Sequence, residues 1–193
     1  MATSLLASLQ TANLLPSPLI PKDFTPTIHL SIAFPTKPIS NGTLVRVHEV
    51  QSAPTVSLSS IPSPNDTQNQ QDQKQQQRFT LMLLDPDAPT PDDPKFAYWR
   101  HWVVANLSLA GGGRTLTEYL APGPKDESGP HRYLFLVFLE PGEGLELERE
   151  DVGGEQFVER RSFGVEGFVE RWGLRLVGVQ WMRGVGDGWV GEE

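Results

Sequence analysis

The chain contains no cysteine, which excludes disulfides, metal sites built on thiolates and a cysteine nucleophile, and leads to the expectation of a cytoplasmic setting. No apolar run approaches membrane-spanning length, so no transmembrane segment is expected. Positive charge is scarce as well: 16 Lys and Arg stand against 24 Asp and Glu, a formal net charge of −8. An acidic surface repels phosphate backbones and anionic bilayers, so nucleic acid is not an expected partner and any bound anion has to be held locally. The G-x-S-x-G of serine hydrolases and the H-E-x-x-H of zinc proteases are also missing. The opening MATSLLASLQTANLLPSP has no basic start, and Ser, Thr, Gln and Asn interrupt its apolar stretch. It therefore reads as mature sequence and not as a secretory leader.

What is present fits one domain over residues 1–193, with 38% hydrophobic residues to build its core. Leu5, Leu6, Leu9 and Ala12 recur at helical spacing, Thr3 or Ser4 is placed to cap, and Pro16, Pro18 and Pro21 end the segment, which makes 1–21 a docking helix with a proline-rich entry. Ile28, Leu30, Ile32 and Phe34 alternate with polar or small residues as in a half-buried strand. Asn41-Gly42 marks a turn, Thr43–Val50 is a further strand candidate, and Val56 and Leu58 mark another. Between Ile61 and Gln77 the composition shifts to Pro, Ser, Asn, Asp and Gln without apolar periodicity, which predicts a mobile surface loop. Phe79–Leu84, His101–Leu107 and Tyr133–Leu139 are near-continuous apolar runs, the pattern of central strands covered on both faces. Val165, Phe168, Val169 and Trp172 predict a helix closed by Gly173. A last strand is expected over Leu174–Met182, followed by a loose glycine-rich tail at 184–193. Many short strands with short helices predict a mainly β, antiparallel sandwich.

Asp85, His101 and His131 each place an ionisable group at the end of an apolar strand, where burial without a partner is costly. Taken singly, such an aspartate is usually a turn former and such a histidine a satisfied structural residue. Together they suit an anion or a zwitterion: imidazoles and loop N–H groups hold a phosphate or carboxylate, and a carboxylate orients a histidine or receives an ammonium group. Prolines stiffen Asp85–Pro89, and one Xaa-Pro bond there is a candidate for cis.

DPDAPTPDDP, WRHW, Ala121-Pro122-Gly123-Pro124 and GPHRYLFLVF follow one another in the order and character of the phosphatidylethanolamine-binding protein family, also called the Raf kinase inhibitor family. Arg161-Ser162-Phe163 through Gly173-Leu174 to Val177-Gly178 resembles that family's C-terminal helix and strand, and the resemblance runs from Phe24 to Met182. It implies a Greek-key β-sandwich with short peripheral helices. It also implies a pocket at Asp85, Pro89, Trp99, His101, Gly123, His131 and Tyr133 that accepts phosphate, phosphorylethanolamine or a phospholipid head group, with no metal and no cofactor. In that picture His101 and the loop before His131 face the anion, Asp85 orients a histidine or meets an amine, and Tyr133 donates its hydroxyl. Asp87 and Arg132 read as a structural pair tying the two motif loops together. Two departures stand out. Lys125-Asp126-Glu127 puts carboxylates near the mouth, and Val179-Gln180-Trp181 makes Trp181 a candidate for the pocket's aromatic wall in altered geometry.

The leading helix looks most like that of fungal-type members, among them the inhibitor of the serine carboxypeptidase Y. This implies a regulatory binding protein whose residues Ala2–Leu15 contact a protease, the plainer alternative being that the helix covers one edge of the sandwich. A kinase partner is a further possibility the family suggests. The competing class is an enzyme of fungal secondary metabolism acting on a carboxylic acid. In it Asp85, His101 and His131 form a two-histidine, one-carboxylate metal site or a general base. The family supplies no established catalytic residues, so the expected role is binding.

Overall fold

The computed structural model describes residues 2–63 and 67–191. Two sheets face each other. The smaller holds β1 (Ile28–Phe34) between β2 (Lys37–Ile39) and β4 (Thr55–Ser60), all antiparallel. The larger runs β3-β9-β8-β5-β6-β7, where β3 is Thr43–Arg46, β5 Phe79–Asp85, β6 Trp99–Leu107, β7 Arg114–Thr117, β8 His131–Leu139 and β9 Arg175–Val185. Within it β8-β5-β6-β7 has the order fourth, first, second, third, which is a Greek key. Only the β3–β9 pairing in these sheets is parallel.

The continuous apolar runs are explained by layers on both faces of the large sheet. Leu81 and Leu83 of β5 point between the sheets, joining Ile28, Leu30, Ile32 and Phe34. Met82 and Leu84 point the other way, into a second core with Val103, Leu134, Leu136 and Trp181. Two helices cover that second face: α1 (Ala2–Thr11), through buried Leu9, and α3 (Val165–Arg171), through Val165 and Phe168. Leu14, Leu15, Leu19 and Ile20 of the proline-rich entry are buried there as well.

Four sequence expectations need correcting. The helix α1 begins at Ala2, so Thr3 and Ser4 lie inside its first turn, and their side chains fall outside the described residues. The strand foreseen over Thr43–Val50 stops at Arg46, because the Glu49 carboxylate accepts the Arg46 N–H at 2.7 Å and winds Val47–Val50 into a 3-10 turn. The segment 61–77 carries a helix, α2 (Gln68–Gln76). Gln and Lys are good helix formers, so the stretch is compatible with a helix although no apolar stripe marks it. The tail is tied, not loose: β9 continues to Val185, and Arg46 donates through one guanidinium nitrogen to the carbonyls of Asp187 and Trp189 at 3.1 and 3.2 Å. The Gly188 N–H donates to Asp126 at 3.0 Å. The predicted close of α3 is present: Gly173 has φ +60, with Leu174 N–H to Val169 O and Gly173 N–H to Glu170 O forming a Schellman motif.

Candidate functional site

The register of the central strands creates the site. Because β5 runs antiparallel to both β6 and β8, its C-terminal end meets the starts of those two strands, with Asp85 opposite Trp99 and Leu84 opposite Leu134. One end of the sheet thus gathers Asp85, Trp99, His101, His131 and Tyr133 around a cavity of about 430 Å³. Pro89, after a cis Ala88–Pro89 bond, and Gly123 complete the set foreseen from the sequence, and all seven of those positions line the same space.

Asp85 is the hub. Its Oδ1 accepts the Asp87 N–H at 2.7 Å, which shapes the turn, and its Oδ2 accepts from His131 Nδ1 at 2.8 Å. Both partners of the second contact are 4% exposed, so water competes little for it. With Nδ1 turned to Asp85, His131 presents Nε2 to the pocket, 3.2 Å from the Ser128 hydroxyl. His101 is oriented in the same manner by a backbone group: its Nδ1 donates to Leu120 O at 2.8 Å and Leu120 N–H returns a bond to His101 O at 2.9 Å. Among the described residues, that leaves His101 Nε2 without a backbone bond. Burial pushes the His101 pKa below its ordinary 6.5, against the opposing pull of Asp85 and the Leu120 carbonyl. Burial also pushes the Tyr133 phenol well above 10, helped by the Asp85 charge and a hydrogen bond to it, so Tyr133 is a permanent O–H donor. Gly184 on β9 permits this packing: a Cβ there would lie 2.6 Å from the Tyr133 ring.

Asp87 and Arg132 meet as the sequence led us to expect. Arg132 donates through Nε to Asp87 Oδ2 at 2.9 Å and through NH2 to Oδ1 at 2.6 Å, with the Arg132 N–H adding a third contact at 2.7 Å. The same guanidinium reaches the Ala12 carbonyl at 2.8 Å and so links the pocket loops to the end of α1.

Two expectations about the rim are corrected. Trp181 is not a pocket wall: it is buried under α1, and its indole N–H donates to Ser8 Oγ at 3.1 Å. Its strand position points it to the helix-covered face. The aromatic wall is instead Trp99 with Phe157, ring centroids 4.6 Å apart. The acidic 125–127 segment contributes less negative charge than foreseen, since Asp126 turns to the tail while Lys125 and Glu127 line the mouth. Ser128, Leu120, Phe157 and Arg160 were not legible. They sit in irregular segments, and only Phe157, an apolar residue in the charged stretch Glu155–Arg161, gave a signal. Arg160 is buried behind His101 and donates to its carbonyl at 3.1 Å.

A Greek-key sandwich with a histidine-aspartate pocket at the end of its central strands is the class of domain that the fold and the cavity define. Residues 36–167 match the family profile of the phosphatidylethanolamine-binding proteins, and the chain belongs to that family. The chain is 32% identical over 118 residues to the protein MOTHER of FT and TFL1 homolog 2 of Oryza sativa subsp. japonica, an alignment spanning 60% of this chain and 59% of the rice protein's length. Among solved structures, a carboxypeptidase Y inhibitor complexed with its cognate proteinase superposes with a TM-score of 0.75 at 21% identity, covering 97% of each chain. A phosphatidylethanolamine-binding protein from Plasmodium vivax gives 0.70 at 21% identity, covering 94% of this chain and 97% of its own. At these identities the structural matches speak for the fold.

Proposed function

We propose that this chain is a binding protein that holds a small anion, such as phosphate, phosphorylethanolamine or a phospholipid head group, in the Asp85–His101–His131 pocket, and that it regulates a protein partner. The observation that carries the first half is the convergence of two oriented imidazoles, the Ser128 hydroxyl and Lys125 on one cavity. Imidazole N–H and hydroxyl groups donate to an anion, and Asp85 and Glu127 stand ready for an accompanying ammonium group. Calorimetry with phosphate, zinc and iron tests it. Saturable phosphate binding supports the reading, whereas tight metal binding lost in His101→Ala sinks it.

For the partner, a serine carboxypeptidase is the kind that the matched inhibitor fold favours. In α1 Leu9 is buried while Ala7, Gln10 and Thr11 face outward, so the helix both covers the sandwich and presents a free face. If that face contacts a protease, Ala7→Asp abolishes inhibition of a purified serine carboxypeptidase without changing the melting temperature. Inhibition unaffected by the substitution, or absent from the native chain, removes this half of the proposal.

A second reading, acid-base catalysis on a carboxylic acid, is favoured by one observation, the Asp85–His131–Ser128 hydrogen-bond chain. Turnover of a carboxylic acid abolished by Asp85→Asn is the result that establishes it.

A further inference from the structure

The polar groups account for only the inner part of the pocket. At about 430 Å³ the cavity is of a size that takes a whole small organic molecule. One wall is an unbroken series of rings. His131 stacks on Tyr133 with centroids 6.2 Å apart, Tyr133 meets His101 edge-on at 5.4 Å, His101 lies 6.4 Å from Trp99, and Trp99 meets Phe157 at 4.6 Å and 64°.

Phe157 is the unusual member. It is 61% exposed, one of three large exposed apolar side chains among the described residues, yet it is held firmly. Its 3-10 turn, Phe157–Arg160, is anchored by Arg160, which donates to the carbonyls of His101, Glu118 and Glu155 at 3.1, 2.8 and 3.0 Å. The Arg161 guanidinium lies 4.3 Å from the Phe96 ring, 5.6 Å from Trp99 and 5.8 Å from Phe157, which fixes the cluster from outside the cavity. The Trp99 indole N–H is buried and has no hydrogen-bond partner among the described residues. A rigid ring left open to solvent at a pocket mouth, set edge-on to a second ring, is a corner into which a third flat group packs.

We propose that the Trp99–Phe157 corner is a subsite for a flat unsaturated ring attached to the bound anion, so that the preferred ligand is an aryl-substituted anion such as phenyl phosphate. This rests on the anion-binding reading above and narrows its ligand class. The anion occupies the His101–His131 end, and the ring lies in the corner. The ring gains the edge-to-face geometry that two steeply inclined aromatics offer and a flexible alkyl chain does not use.

The test is calorimetric titration of the native chain with inorganic phosphate, phenyl phosphate and butyl phosphate, repeated with Phe157→Ala and Val158→Ala. Both substituted side chains are exposed, and Val158 does not line the cavity, so neither change threatens folding. Phenyl phosphate is expected to bind on the order of tenfold more tightly than inorganic phosphate and more tightly than butyl phosphate. Phe157→Ala erases that advantage, bringing phenyl phosphate down to the affinity that the same variant shows for inorganic phosphate, while Val158→Ala changes nothing. Phosphate binding with no gain from the phenyl group, an equal gain from butyl, or a gain that survives Phe157→Ala overturns the subsite alone. If no anion binds to the native chain, the anion-binding reading falls and the subsite with it.

Discussion

His101 shows how one residue ties the pocket to pH. Its imidazole is buried and its pKa is held below the ordinary 6.5. Below that ordinary value the unfolded chain takes up a proton that the folded chain refuses, so stability falls as acid is added until the folded imidazole protonates too. If the pocket holds an anion as proposed, that anion gives the charged ring a partner and reverses the bias, so phosphate binding is expected to draw in a proton and to tighten as pH falls through the same range. Denaturant melts over a pH series, with and without phosphate, check both signs. His101→Gln is expected to flatten the acid loss relative to the native chain and to remove the rescue by phosphate. Arg132 is a second residue-scale case. Asp87 is 1% exposed, and removing its partner leaves a buried carboxylate with fewer bonds. Arg132→Ala is expected to cost about 3 kcal/mol in chemical denaturation. A change of a few tenths contradicts the pairing as a structural tie.

At the scale of elements, the far end of the central strands is fastened by Glu140. Its carboxylate is buried and accepts from Thr80 Oγ1 at 2.7 Å, from the Asn106 N–H at 2.8 Å and from the Leu145 N–H at 2.9 Å. It thereby joins β5, β6 and the loop after β8. Glu140→Ala strands those donors, and a loss of about 3 kcal/mol in denaturant stability is the expected outcome. On the opposite layer Leu9→Ala opens a cavity beneath α1 and is expected to cost about 3 kcal/mol. The central strands were legible because each is buried on both faces and reads as a continuous apolar run. Helix α3 was legible because its apolar period and Gly173 agree. Helix α2 and the tail were not. One has no apolar stripe to mark it, and the other is tied by Arg46 from far away in the chain.

Over the whole molecule, a net charge of −8 means that any bound anion is held by local donors against an unfavourable surrounding field. The pocket's core was legible because a charged or imidazole side chain at the end of an apolar strand invites a functional explanation, and antiparallel register brings three such strand ends together. Its rim was not. Ser128 and Phe157 are placed by loop hydrogen bonds and by Arg160, none of which leaves a periodic signal. Trp181 misled because the face it occupies depends on register, not on residue type.

The most direct test of the central claim is a tryptophan fluorescence titration with phosphate and phosphorylethanolamine, native chain against His131→Ala, with Trp99 in the pocket wall as reporter. A saturable signal in the native chain that disappears in the variant is the predicted result. No saturable signal in the native chain, or an affinity that survives the loss of His131, contradicts it.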